Sequence, residues 1–307
     1  MLETNLPELK ALANDSDPII PVPPNIRLLT GPLRNPSDPN FFDLAPNDDI
    51  VQLATGILRN TPGGLRALAG NDFVRGSDAA EQMNGNSGND TLIGGCGDDT
   101  IRGGAQDFDY LYGECGNDVL NGNQGIDYAW GGTGNDFVRG GQGNDWLLGN
   151  SGNDTLIGDA GIDKLWGGAD ADLFVLRREA EATSRPFGSD IPRPTGNFPI
   201  FVDIVPADFI LDYDPAQGDT IGLAGGLTRN DIVLSEKFLL IGDAREFDSR
   251  GFFPDPPTIQ TGDFKILNTR ATVIREASTG NILGLVKEVS PSQLQFTSVS
   301  DEAIALG

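Results

Sequence analysis

An acidic residue recurs along the centre of this 307-residue chain at Asp72, Glu81, Asp90, Asp99, Asp109, Asp118, Asp127, Asp136, Asp145, Asp154, Asp163 and Asp172. The spacing is nine residues, and ten at one place. Side chains in such register can do one kind of chemistry well. Stacked at a strand-to-strand distance of about 4.8 Å, carboxylates would repel one another unless a cation lay between them. A donor set of carboxylate and carbonyl oxygens suits Ca²⁺, which takes six to eight hard ligands and tolerates irregular geometry.

The elements that must position these acids repeat with them. Residues 67–175 divide into twelve units, such as GNSGNDTLI (85–93), GGCGDDTIR (94–102) and GGTGNDFVR (131–139), with one extra residue at 103–112. Glycines recur at positions one, two and four, where they permit positive φ and a tight turn. Position eight is apolar throughout: Val74, Met83, Leu92, Ile101, Leu111, Leu120, Ala129, Val138, Leu147, Leu156, Leu165 and Phe174. A three-residue tail whose middle side chain turns inward is a short strand. Each unit is then a turn plus a strand, and two units close one coil of a flattened parallel solenoid, about six coils in all. Turns of alternate units stack, which gathers the acids of units i and i+2 beside turn carbonyls. A disordered Gly/Asn/Asp linker would have no use for an apolar residue at every ninth position.

Units such as GGCGDDTIR and GGTGNDFVR fit G-G-x-G-x-D-x-U-x, and the array resembles the RTX, or haemolysin-type, calcium-binding family. The resemblance covers about a third of the chain. It implies a β-roll, bound Ca²⁺ and export by the type I secretion machinery through an uncleaved C-terminal signal. The candidate ligands are the carboxylates of Asp72, Asp90, Asp99, Asp109, Asp118, Asp127, Asp136, Asp145, Asp154, Asp163 and Asp172. Turn carbonyls at Gly94, Gly113, Gly122, Gly131, Gly140, Gly149 and Gly158 complete the set. Six coils leave at most ten gaps, and about six calcium ions are expected. Two units depart from the pattern: 76–84 has Ala79 for the turn glycine and Glu81 for Asp, and 103–112 lacks the position-four glycine and carries the insertion.

Composition narrows the function. With 45 acidic and 21 basic residues the net charge is −24, which disfavours nucleic acid or an anionic membrane as partner. Histidine is absent, so His-based metal sites, His general bases and H-E-x-x-H are excluded, and the non-repeat parts contain no G-x-S-x-G. Carboxylate pairs such as Asp212/Asp214 could do acid/base work on a sugar, but turns at strand ends explain them more simply. No catalytic residue is assigned. Nothing approaches 18 consecutive apolar residues, and MLETNLPELKALANDSD has acids where a leader needs basic and apolar runs. Export is therefore expected to use another signal, to the exterior or the cell surface.

Along the chain, residues 1–46 hold nine of the twenty prolines. That density argues against helix or central strand and suggests a solvated arm, an arm lying on its own domain, or a strand donated to a neighbour. Residues 47–66 read as a cap, with a short amphipathic helix over 47–59 built on Ile50, Val51, Leu53, Ala54, Ile57 and Leu58. The roll occupies 67–176, a linker 177–197, and a compact all-β domain 198–307, in which 271–289 forms the clearest hairpin. That region is similar to the domain following haemolysin-type repeats in many cyanobacterial proteins. The tail SVSDEAIALG resembles those of type I secretion substrates.

Two further features follow from parity. Tyr110, Tyr112, Tyr128, Trp130, Trp146 and Trp166 all fall outward on one sheet. Such a face is expected to pack beneath the C-terminal domain or the arm; a surface polysaccharide or self-assembly is the alternative. Cys96 and Cys115 both occupy position three, two units apart, so their Cα atoms should lie about 5 Å apart, within disulfide range.

Overall fold

A computed structural model of the chain describes residues 23–30, 34–35, 38–178, 207–242 and 266–304. Among these residues the architecture is two sheets wound as a parallel β-roll. In the first, the strands lie in the order Arg27–Leu29, Ile50–Leu53, Phe73–Arg75, Thr91–Cys96, Tyr110–Cys115, Tyr128–Thr133, Trp146–Ser151, Lys164–Ala169, Asp208–Ile210, Ile282–Lys287, Ile266–Glu276 and Ile232–Gly242. In the second, Asp38–Asp43 is followed by Gly64–Arg66, Gln82–Asn86, Thr100–Asp107, Val119–Gly125, Phe137–Gln142, Thr155–Ala160, Leu173–Leu176, Thr220–Leu223 and Phe296–Ser298, with Arg34–Asn35 outside Asp38–Asp43. Successive repeats alternate between the sheets, and each pairs in parallel with the repeat one coil on, as Leu111 with Leu92 and Ala129.

The core is the column of position-eight side chains between the sheets. All twelve, from Val74 to Phe174, are 1 % exposed or less. The column runs on through Leu29, Phe42, Val51 and Leu65 before the repeats and Ile210 and Ile221 after them. Burying side chains of this size contributes roughly 1.5–3 kcal/mol each.

Three expectations are corrected here. Ile50–Leu53 is a strand paired in parallel with Phe73–Arg75 on one side and Arg27–Leu29 on the other, not a helix. Its apolar residues satisfy both periods, and the open edge of the first repeat decides for the strand. Of the expected arm, Arg27–Leu29 and Asp38–Asp43 lie on the chain's own roll and are not solvated: they supply further strands, and the strand holding Pro39 makes its parallel pairs only through Phe41, Phe42 and Asp43. The C-terminal region is β-rich, with a hairpin of Ile266–Glu276 and Ile282–Lys287, but it is joined edge-on to the roll: Asp208–Ile210 and Thr220–Leu223 extend the two sheets. Residues 1–22 of the expected arm, most of the expected linker and residues 305–307 lie outside the described residues.

The aromatic residues stack on one another along the first sheet. Ring centroids are 5.1 Å apart for Tyr110 and Tyr128 and 5.8 Å for Tyr128 and Trp146, and Lys164 Nζ lies 3.9 Å over the Trp146 ring. The C-terminal turn of helix, Asp301–Ile304, packs elsewhere: Ile304 and Val299 join Ile157 and Val175 on the outer face of the second sheet.

Candidate metal centre

The roll has two edges where the chain turns from sheet to sheet, and each edge carries a column of the position-six side chains. One column holds Asp72, Asp90, Asp109, Asp127, Asp145 and Asp163, joined by hydrogen bonds from each main-chain N–H to Oδ1 of the next aspartate, 2.8–3.0 Å long. The other holds Glu81, Asp99, Asp118, Asp136, Asp154 and Asp172 in the same relation, at 2.7–3.0 Å. One carboxylate oxygen thus fixes the stacking of the turns. The second is buried and accepts no hydrogen bond in Asp72, Asp99, Asp118, Asp136, Asp145, Asp154 and Asp172. A buried polar atom without a partner is costly, and a column of them points to a cation.

The position-one glycines make room for these oxygens. A Cβ on Gly94 would lie 2.2 Å from Asp99 Oδ2 and 2.9 Å from the Gly113 carbonyl oxygen. The same two kinds of oxygen meet over Gly113, Gly122, Gly140 and Gly149, and Asp Oδ2 alone is as close over Gly131 and Gly158. Position one is therefore glycine for close approach. Positive φ falls instead at positions two and four, where Asn86, Asn123, Asn150 and Asp159 also adopt it. Among the described residues no three acidic, cysteine or histidine side chains converge on one point. Any cage must combine carboxylates of successive turns with main-chain oxygens, which is the donor set calcium takes.

Burial pushes these carboxyls up, to about 6 in Asp72 and Asp136, about 7 in Asp99 and Asp154, and about 8 in Asp118 and Asp172. Repulsion from a neighbouring acid in the column adds to the rise in Asp99, Asp118, Asp154 and Asp172. A bound cation would supply the missing positive charge and favour the ionised form.

Both irregular units keep the register. Glu81 donates its N–H to Asp99 Oδ1, but its longer side chain folds back onto Ser77, whose N–H and hydroxyl both donate to it. The insertion at 103–112 is absorbed before Asp109, which accepts from Asp90 and donates to Asp127. It lies on the edge opposite the cysteines. Cys96 and Cys115, aligned on neighbouring strands, form a disulfide with Cα atoms 4.5 Å apart.

Sequence reasoning missed three residues in position-six register. Asp49 donates its N–H to Asp72 Oδ1, Asp219 Oδ1 accepts from Asp172, and Asp208 opens the strand beside Lys164–Ala169. Their signal was D-x-V or D-x-I (Asp49-Ile50-Val51, Asp208-Phe209-Ile210, Asp219-Thr220-Ile221), stripped of the glycines that mark the repeats.

The model of the RTX calcium-binding nonapeptide repeat matches residues 65–92, 75–107, 84–114, 97–129, 112–147 and 148–176. None of the curated proteins matches the chain in sequence. Among solved structures, the extracellular lipase LipA from Serratia marcescens is similar, at 16% identity and a TM-score of 0.22, over 80% of this chain and 44% of that one. The chain thus spans less than half the length of that lipase. Among the described residues, no helix is long and apolar enough to cross a membrane. Residues 65–176 match the RTX calcium-binding nonapeptide repeat, and they form a parallel β-roll.

Proposed function

We propose that the protein is an extracellular or cell-surface structural or adhesive element, exported by type I secretion, whose roll is completed by calcium. The ligands are the position-six carboxylates from Asp72 to Asp172, Glu81 excepted, with the turn carbonyls of Gly94, Gly113, Gly122, Gly131, Gly140, Gly149 and Gly158. About six ions are held, at most ten within the repeats. The observation that carries this reading is the set of buried Oδ2 atoms without hydrogen bonds in Asp99, Asp118, Asp136, Asp145, Asp154 and Asp172, each set over a position-one glycine.

Each turn keeps one carboxylate oxygen for its neighbour and offers the other to the ion, so the sites and the fold are assembled together. In a low-calcium cytosol the stacked acids keep the array unfolded, and outside the cell they let it close. A structural role is preferred to polysaccharide binding because Tyr110, Tyr128 and Trp146 present their ring faces to one another, leaving the middle of that stack no open face for a sugar. No catalytic residue is assigned, since turns at strand ends account for carboxylate pairs such as Asp212/Asp214. Calcium counted per chain by elemental analysis after dialysis tests the reading: about six ions are expected at millimolar free calcium, and none would refute it.

A further inference from the structure

We infer that Tyr110 and Tyr128 form an oxidative cross-linking site, at which a one-electron oxidant joins the phenol rings of neighbouring coils through a carbon–carbon bond. The inference needs the stacked roll and not the ion itself. Only the supply of oxidant in nature rests on the extracellular reading above.

The chain has four tyrosines, and their surroundings differ. Tyr110 and Tyr128 are register partners on adjacent parallel strands, Tyr110–Cys115 and Tyr128–Thr133. Their ring planes are 12° apart and their centroids 5.1 Å apart, little more than the spacing of the strands. Both side chains are half-buried, so small oxidants reach them while their neighbours hold the rings in place. Tyr112 stacks instead on Trp130, at 6.4 Å. Tyr213 is 4 % exposed, and its hydroxyl accepts from the Gln295 N–H. Among the described residues, only Tyr110 and Tyr128 stack tyrosine on tyrosine.

The next two rungs direct oxidation to this pair. Trp146 continues the stack, 5.8 Å from Tyr128, and Lys164 Nζ stands 3.9 Å over the Trp146 ring. An electron lost from any of the three rings leaves a positive hole that passes between rings in contact. The Lys164 ammonium disfavours that charge on Trp146. A tyrosine sheds it by releasing the phenolic proton, so the hole settles on Tyr128 or Tyr110. A second oxidation makes the other phenoxyl radical. The two then couple at ring carbons next to the oxygens, and each ring regains its aromaticity by moving the displaced hydrogen to oxygen. Two electrons and two protons leave in all, and they reduce one hydrogen peroxide to two waters.

The same strand already carries one covalent link. Cys115 ends the strand that Tyr110 begins, and its disulfide to Cys96 reaches back to Thr91–Cys96. A bond from Tyr110 to Tyr128 reaches forward to Tyr128–Thr133. Three consecutive strands of the first sheet are then tied together around the irregular unit 103–112. An oxidising exterior, which lets the disulfide persist, is also where phenols meet peroxide.

Full-length protein, dilute and in saturating calcium, treated with a haem peroxidase and hydrogen peroxide, tests this. Intact mass should fall by two hydrogens without formation of dimers, and peptide mapping should find Tyr110 joined to Tyr128. Tyr128→Phe keeps a ring in the stack and should lose the cross-link, while its circular dichroism in calcium matches the parent's. Tyr112→Phe should keep the cross-link. If Y128F does not fold, the peptide map of the unaltered chain decides. A cross-link that survives in folded Y128F, coupling only between chains, or tryptophan oxidation without tyrosine coupling would overturn the site. So would an equal yield of the Tyr110–Tyr128 peptide in denaturant, where the stack is gone. A full β signal and a full yield in EGTA would strike the calcium reading and support this site.

Discussion

The main-chain N–H of Asp99 donates to Oδ1 of Asp118, 2.7 Å away across nineteen residues of sequence, while Asp118 Oδ2 is buried and accepts no hydrogen bond. One side chain thus serves the stacking with one atom and carries an unmet demand for positive charge on the other. Replacing it separates the two duties. Asp118→Asn keeps the acceptor for Asp99 and removes the buried charge. In chelator the variant should be more stable than the parent, by on the order of 1–3 kcal/mol at pH 8. In saturating calcium it should be less stable. The far-ultraviolet β signal in chelator and a thermal melt in calcium check this, and a change of the same sign in both would contradict the proposed role of Asp118.

The raised carboxyls also fix a pH dependence. An acid whose folded value lies above its unfolded one stabilises fully below the unfolded value, near 4, and that stability is lost as pH rises through the folded value. With Asp118 and Asp172 at about 8 and Asp99 and Asp154 at about 7, the calcium-free roll should lose stability steadily between pH 4 and 8. Calcium should flatten or reverse the trend. The far-ultraviolet β signal at pH 5 and 8, in chelator and in calcium, measures both trends; the same pH dependence in both would contradict the account.

How much of this was legible in the sequence depended on which residues carried glycine beside them. The nine-residue period placed every inward side chain from Val74 to Phe174, and position three alone brought Cys96 to Cys115. The coils of Val51 and Ile221 were not legible, because their turns lack the repeat's glycines and an apolar run such as Ile50 to Leu58 fits helix and strand periods alike. Only the free edge of a neighbouring strand settles such a run, and that edge is a long-range fact. The glycine at position one was foreseen for the wrong cause. Its φ is ordinary, and what demands glycine is the carboxylate five residues on.

That cause makes its own prediction. Gly94→Ala would set a methyl group 2.2 Å from Asp99 Oδ2, so the carboxylate must move from the position the ion needs. Stability in calcium should fall by about 1–3 kcal/mol, and one calcium should be lost or weakened. A melt and a bound-calcium count unchanged from the parent would show that the space over Gly94 is not part of a site.

The disulfide ties together the two turns that carry Asp99 and Asp118. Closing a loop of this length restricts the unfolded chain by roughly 3 kcal/mol. Reduction, or Cys96→Ser with Cys115→Ser, should leave the saturated fold intact but raise the calcium concentration at its folding midpoint. Intact mass with and without reductant establishes the bond, and a midpoint indifferent to reduction would show that it lends the neighbouring gap no organisation.

The account stands or falls on whether the stacked acids need their ion. Far-ultraviolet circular dichroism of the full-length protein, recorded through a calcium titration from excess EGTA to about 10 mM, covers the ~10⁻⁴–10⁻³ M range typical of extracellular calcium modules. The account predicts little β signal in EGTA, a cooperative rise through that range and a melting temperature that climbs with calcium. A full β signal in EGTA, with a melting temperature that chelation does not change, would contradict it.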